Sequence, residues 1–300
     1  AIQSFTFNYA VQPDLVNMDA EKMLLANIYD DKSLDAYVFQ YNHAPLLRDR
    51  AEALEHLAEH QSELPHVQAV FASALNDKYW SVRQFAVDTI WIDQYTSQEV
   101  KNKIIDMAQH DPRSYVRSSA LARLKDITGI DAWSIYNNAL NDSSYTVMAT
   151  ALSMIYQNDK KVGLELARKY KSIDNYNLDQ SVMGIIGESG DAIDNAYFID
   201  KFKKASGFDA YFVMLYYESF ILRQTDSYVI QPGVDELKKI AYDLDNFWMA
   251  FTASGLLSSM ATTYQEKLQT ETDPQIQKSL QAAVDYVNKA MEELGSSSDY

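Results

Sequence analysis

The residues best suited to chemistry are His56, Glu59 and His60, which stand in the order H-x-x-E-H. Two histidines at this spacing on one helix can share a zinc ion, and a glutamate beside them can serve as its general base. The apolar residues around them, Ala53, Leu54, Leu57 and Leu64, centre on one helical face. With about 100° between successive residues, Glu59 then lies nearly opposite that face and His56 well to its side, toward solvent. A catalytic zinc also needs a third ligand, and no glutamate occurs between Glu99 and Glu165 to supply it. His56, Glu59 and His60 are the metal candidates, and the expectation is that they hold none. His43 and His66 nearby make adventitious surface binding the simpler alternative.

Other catalytic templates are missing. No histidine is followed by glutamate, so H-E-x-x-H is absent, and no G-x-S-x-G elbow exists. Glycine first occurs at Gly129, and the run Gly184-Ile185-Ile186-Gly187-Glu188-Ser189-Gly190 lacks the Lys-Ser/Thr of a phosphate loop. Past His110 there is no histidine, which removes the commonest general base from the C-terminal two thirds. No catalytic residue and no cofactor is expected in this chain.

Composition narrows the partners. Lys and Arg number 26 against 42 Asp and Glu, a formal charge of −16 that repels nucleic-acid phosphates and anionic lipid. Neither nucleic acid nor membrane insertion is expected, since no run of apolar residues is long enough to span a bilayer. Cysteine is absent, which excludes disulfides and thiolate chemistry and leaves the compartment open. The 21 tyrosines belong to an aromatic share of 12%, enough to line a peptide groove as well as to fill gaps between helices.

Two kinds of element are expected to position these residues. Over the first eleven residues Phe5, Phe7, Tyr9 and Val11 alternate with Thr6, Asn8 and Ala10, the period of a half-buried strand. Leu15–Met18 and Lys22–Ile28 read as further extended pieces around a turn at Asp19-Ala20-Glu21. Residues 1–33 are therefore assigned to a β-strand segment, a domain fragment whose partner sheet would lie before residue 1, and residues 34–300 to a helical domain.

Within the helical part a unit recurs. Asp77-Lys78-Tyr79-Trp80-Ser81-Val82-Arg83 aligns with Asp111-Pro112-Arg113-Ser114-Tyr115-Val116-Arg117 and with Asp142-Ser143-Ser144-Tyr145-Thr146-Val147-Met148, at shifts of 34 and 31 residues. Ala86, Ala120 and Ala151 follow at equivalent positions, small enough to let helices approach, and Arg50 and Ala53 form an earlier, weaker copy. Each unit reads as an outer helix, a turn, and an inner helix starting near Ser81, Ser114 or Ser144 as N-cap. A helix-turn-helix unit of this period makes an α-solenoid. The tetratricopeptide and ankyrin sequence frames are missing, and the Asp-to-Arg spacing resembles HEAT-type repeats. The expected class is mostly α, a HEAT/armadillo-like solenoid after a few short strands, with each Asp accepting from helix N–H groups and from an Arg of an adjacent repeat. An Asp at the helix start beside a solvated Arg is the plainer alternative. Beyond residue 160 the repeat decays, and Tyr211–Tyr217, Phe220–Leu222 and Phe247–Phe251 are apolar nearly all round, as central helices would be.

The stretches Pro13–Leu25, Asp31-Lys32-Ser33, Gln40-Tyr41 and Arg48–Leu54 resemble bacterial zinc aminopeptidases of the aminopeptidase N family, where such a stretch joins a β-sandwich to a C-terminal HEAT-like domain. The resemblance implies a non-catalytic piece of a metallopeptidase. The zinc and its H-E-x-x-H motif, and the substrate-amine motif G-x-M-E-N, would lie on a preceding catalytic domain. Its partners would be the catalytic and sandwich domains of the same polypeptide together with peptide substrates, and its setting bacterial and extracytoplasmic. The function implied is a concave wall that covers an active site and restricts peptide access. The alternative is a free-standing HEAT-repeat scaffold that binds a protein or peptide on its concave face. Residues 3–28 discriminate, because a severed peptidase would show orphan strands there and a scaffold would have no use for them.

Overall fold

The computed structural model describes residues 3–62 and 64–297. Fifteen α-helices follow one another among them: α1 (Leu34–His43), α2 (Leu47–Leu57), α3 (Pro65–Ala74), α4 (Trp80–Thr89), α5 (Gln98–His110), α6 (Ser114–Arg123), α7 (Ala132–Ala139), α8 (Tyr145–Asn158), α9 (Lys160–Tyr170), α10 (Tyr176–Ser189), α11 (Asn195–Lys204), α12 (Phe208–Ile221), α13 (Ser227–Ala241), α14 (Phe247–Thr270) and α15 (Pro274–Ser297). The chain divides into two compact units, Ala1–Val147 and Met148–Tyr300.

In the first unit α1 packs on α2, α5 on α6, and α2, α4 and α6 stack in succession. That is the inner layer of a repeat array, with each helix contacting its equivalent in the next hairpin. The shared faces are apolar: Leu54, Leu57, Val82, Ala86, Val116, Ala120 and Leu121 are fully or almost fully buried. Burial of each larger side chain contributes about 1.5–3 kcal/mol. In the second unit the same alternation recurs, α10 on α12 on α14 in one layer and α11 on α13 on α15 in the other. Its core is aromatic, with Phe198 within 5.4 Å of Tyr217 and 5.2 Å of Phe220, ring centre to ring centre. Tyr217 reaches so close to α13 that a Cβ on Gly233 would lie 1.7 Å from its hydroxyl, so that position has room for no side chain.

Several helices begin on a side-chain cap. Ser33 accepts from Ala36 N–H, Ser97 from Val100 N–H and Asn175 from Leu178 N–H, each satisfying a donor the helix leaves open. Ser81 and Ser114 are not caps, contrary to expectation: Tyr79 and Arg113 occupy those positions and make no side-chain cap bond. The carboxylates upstream take over the role. Asp77, Asp111 and Asp142 accept from the N–H groups of Tyr79, Arg113 and Ser144 at 2.8–2.9 Å.

Two expectations are corrected here. No β-strand is present among the described residues, and the segment before α1 is extended and turned without a ladder. Phe5 and Phe7 are 73% and 76% exposed. The alternation is real, but a strand exists only where a neighbour pairs with its backbone, and this segment is instead tied to α2 through side chains. Asn17 donates to Asp49 at 3.0 Å, and Lys22 lies 3.0 Å from both Asp49 and Glu52. The described residues 3–33 thus show none of the expected strands, and the compact units divide at residue 147, inside α8.

The second correction concerns α14. Phe247, Trp248 and Phe251 are exposed, Trp248 by 75%, whereas Met249, Ala250, Ala253, Leu256, Leu257, Met260 and Tyr264 are buried. The buried set already recurs every three to four residues and fills the inward stripe, which leaves the three rings on the opposite side. They touch one another instead, with Phe251 6.3 Å from Phe247 and 6.2 Å from Trp248.

Candidate functional site: an arginine–aspartate ladder and a cavity

The repeat residues form a chain of linked turns in the first unit. Arg50 pairs with Asp77 and donates to the carbonyl of Tyr41, whose hydroxyl donates to Asp77 at 3.0 Å. Arg83 pairs with Asp111 and donates to the Asp77 carbonyl at 2.9 Å. Arg117 pairs with Asp142 and donates to the Asp111 carbonyl at 2.9 Å. Each guanidinium thus clamps the turn that precedes its own helix to the turn of the next repeat, and each carboxylate holds an N–H group at its helix start. Burial pushes the carboxyls of Asp111 and Asp142 up, but the bonds from Arg83 and Arg117 and from the backbone N–H groups outweigh it and hold both below the usual carboxylate range. The position equivalent to Arg83 and Arg117 is Met148 in the third copy, so the first unit's ladder ends on Asp142. Ala53, Ala86, Ala120 and Ala151 are completely buried.

The ladder reappears in the second unit, where the sequence repeat had faded. Arg168 donates to Asp194 through Nε at 3.1 Å and Nη2 at 2.6 Å and to Asp191 at 2.9 Å. Asp194 is fully buried and also accepts from the backbone of Asp191. The missed signal was the Arg-to-Asp separation of 27, 28, 25 and 26 residues for the four pairs, which persists after the flanking residues have diverged.

His56, Glu59 and His60 are not brought together on one α-helix. α2 stops at Leu57, and Ala58–His60 form a tighter turn of 3-10 helix, so the spacing required of two ligands on a regular helix is lost. The His56 ring stacks on Tyr37 at 4.4 Å, and Glu59 is exposed. Among the described residues no group of three His, Asp or Glu side chains is placed to hold a metal ion.

The second unit contains a cavity of about 900 Å³ between the α9–α10 loop, α10, α11 and the start of α12. Tyr197 of α11 lines it with 8% of its surface exposed, and its hydroxyl has no hydrogen-bond partner. Asp179 of α10 faces the same space. Its Oδ2 accepts from Lys201 at 2.6 Å, and its buried Oδ1 has no partner. Burial, reinforced by the charge of Asp179, pushes the Tyr197 hydroxyl far up, so it stays a neutral hydroxyl able to donate and accept. Both atoms are buried within the wall, out of reach of a group in the cavity, and being unpaired there they cost free energy. At the rim, Tyr176 packs edge-on against Phe212 at 6.4 Å, and Phe212 meets Phe208 at 5.1 Å. Tyr176, Asp179, Tyr197 and Lys201 did not stand out in the sequence, because they come from different helices and share no spacing.

No helix among the described residues is long and apolar enough to cross a membrane. No family model matches the chain, and no curated protein matches it. Among solved structures, the complex of CpcE and CpcF of phycocyanin lyase from Nostoc sp. PCC7120 is similar at 16% identity and a TM-score of 0.33, over 66% of this chain and 98% of that one. The resemblance to the aminopeptidase N family is overturned by the absence of any family match and by the lack of strands in residues 3–28. The short stretches that carried it are turn and helix-start residues, Pro-Asp, Asp-Lys-Ser and Arg-Asp-Arg, which local physics favours in many unrelated chains. The peptidase reading that rested on it has no support from these comparisons.

Proposed function

We propose that this chain is a non-catalytic helical-repeat protein that binds a segment of a protein or peptide partner. The observation that carries this is the second unit's cavity of about 900 Å³, with Tyr176 at its rim packed edge-on against Phe212 and Phe212 against Phe208. Aromatic rings at a rim supply contact area at little entropic cost. Two further features favour binding over catalysis: the motif residues His56 and His60 are split between two kinds of helix, and the paired Asp and Arg residues are used in linking turns. The absence of strands among the described residues before α1 also favours a repeat scaffold over a peptidase fragment.

Selection of a random short-peptide display library on the purified chain tests this. Enriched sequences should lose binding when Tyr176→Ala and Asp209→Asn are introduced. Failure to enrich any sequence, or enrichment indifferent to both substitutions, would refute the assignment.

A further inference from the structure

Helix α14 has two faces without charge. One, from Met249 to Tyr264, is buried in the core of the second unit. The other is exposed and carries Phe247, Trp248 and Phe251 in its first turns, then Ser254, Gly255, Ser258 and Thr262. No charged residue occurs from Phe247 to Gln265, although the chain as a whole has a formal charge of −16. A solvated helix face ordinarily carries charge, so an exposed stripe of this length without it marks a contact surface. No α14 residue lines the cavity, and this surface stands apart from it.

Two of its hydroxyls already have partners within the helix. Ser254 donates to the Ala250 carbonyl at 2.8 Å and Thr262 to the Ser258 carbonyl at 3.1 Å, so both can leave water without losing a hydrogen bond. Size is also ordered along the face, with rings in its N-terminal half and small residues in its C-terminal half. Turned end over end, the face is therefore its own complement. With Ser254 opposite Gly255 at the crossing, Phe251 falls opposite Ser258 and Phe247 opposite Thr262, so each ring meets a small residue. A Cβ at Gly255 would meet nothing within 4 Å, which leaves the backbone there open to close approach. The three rings are 62–75% exposed. With the small residues they present roughly 600 Å² per copy, about 1,200 Å² for a pair, the lower end of stable specific interfaces.

We infer that two copies of this chain pair through α14, antiparallel about a two-fold axis near Ser254 and Gly255. Such a contact is isologous, with the same patch used twice. Asp245 precedes the face and Glu266 follows it, so the antiparallel pair brings these carboxylates of opposite copies toward one another. Their repulsion, added to that of two acidic chains, is screened by salt, and the dimer tightens as salt is raised.

Sedimentation velocity of the full chain, from micromolar to submillimolar concentration and from low to half-molar salt, tests this. The chain should dimerise with a micromolar dissociation constant that falls with salt. Phe251→Lys and Ser258→Glu, both at exposed positions, should each keep the parent's circular dichroism and weaken association roughly tenfold or more. An equimolar mixture of the two variants should recover it, because the lysine of one copy then faces the glutamate of the other. Within one chain the two positions lie about two turns apart, so only pairing between copies joins them. Tyr228→Ala removes a ring that is 83% exposed on α13 and should change nothing. A chain that stays monomeric, single variants that associate like the parent, or a mixture that stays apart would each overturn the inference. Association that weakens with salt, or an equal loss in Tyr228→Ala, would do the same.

Discussion

Arg83 and Asp111 are joined by two hydrogen bonds, Nε to Oδ2 at 2.8 Å and Nη2 to Oδ1 at 2.9 Å, while Nη1 of the same guanidinium donates to the Asp77 carbonyl. One side chain thereby fixes two consecutive turns, and Asp111 in turn accepts from the Arg113 N–H at 2.9 Å. The fork of the guanidinium matches the carboxylate and leaves a donor to spare for the backbone, which lysine could not reproduce.

Removing the carboxylate strands a guanidinium and opens a helix start together. Asp111→Ala should cost about 3–5 kcal/mol, as expected for breaking a buried pair. Asp131→Ala, which removes only the cap on α7, should cost about 1 kcal/mol. Urea unfolding followed by circular dichroism compares the two, and equal costs would deny the ladder its role.

Acid should weaken the protein through the same residues. The carboxyls of Asp111 and Asp142 lie below their ordinary value in the folded state, so the unfolded chain binds protons first as pH falls. Their stabilisation is complete above the unfolded carboxylate range near about pH 4 and disappears as pH drops through the lower folded values. Unfolding midpoints measured between about pH 2 and pH 5 should rise with pH. In Arg83→Met this slope should be shallower, and an unchanged slope would assign the acid sensitivity to other groups.

Two glycines in helices should respond oppositely to alanine. A Cβ at Gly163 would stand 2.5 Å from the Tyr156 Cα, whereas one at Gly255 meets nothing within 4 Å. Gly163→Ala should therefore destabilise by about 1–3 kcal/mol through overpacking. Gly255→Ala should stabilise by about 0.5–1 kcal/mol through helix propensity. Thermal melts that show both changes destabilising would contradict the open surroundings of Gly255.

The exposed rings of α14 give a fourth test. Trp248→Ala should shift stability by no more than about 0.5 kcal/mol, the usual range for a surface position. Phe198→Ala, within the aromatic core, should cost about 3–5 kcal/mol. A loss at Trp248 approaching that of Phe198 would mean the ring is buried after all.

Much of the helical architecture was legible in the chain itself. Scarce glycine and proline and the recurrence of Asp, Val and Ala around residues 77, 111 and 142 are local or periodic signals, and local physics acts on them directly. The alternation Phe5-Phe7-Tyr9-Val11 was equally local and misled, because whether an extended segment becomes a strand depends on a partner that its own sequence does not contain. Only the tertiary structure decided that Asp77 pairs with Arg50 and not with Arg83 six residues on, that α14 turns Trp248 outward, and that Asp179, Tyr197 and Asp209 meet around one cavity. These are relations between residues on different helices, and they are set by how the helices pack, which no spacing along the chain records.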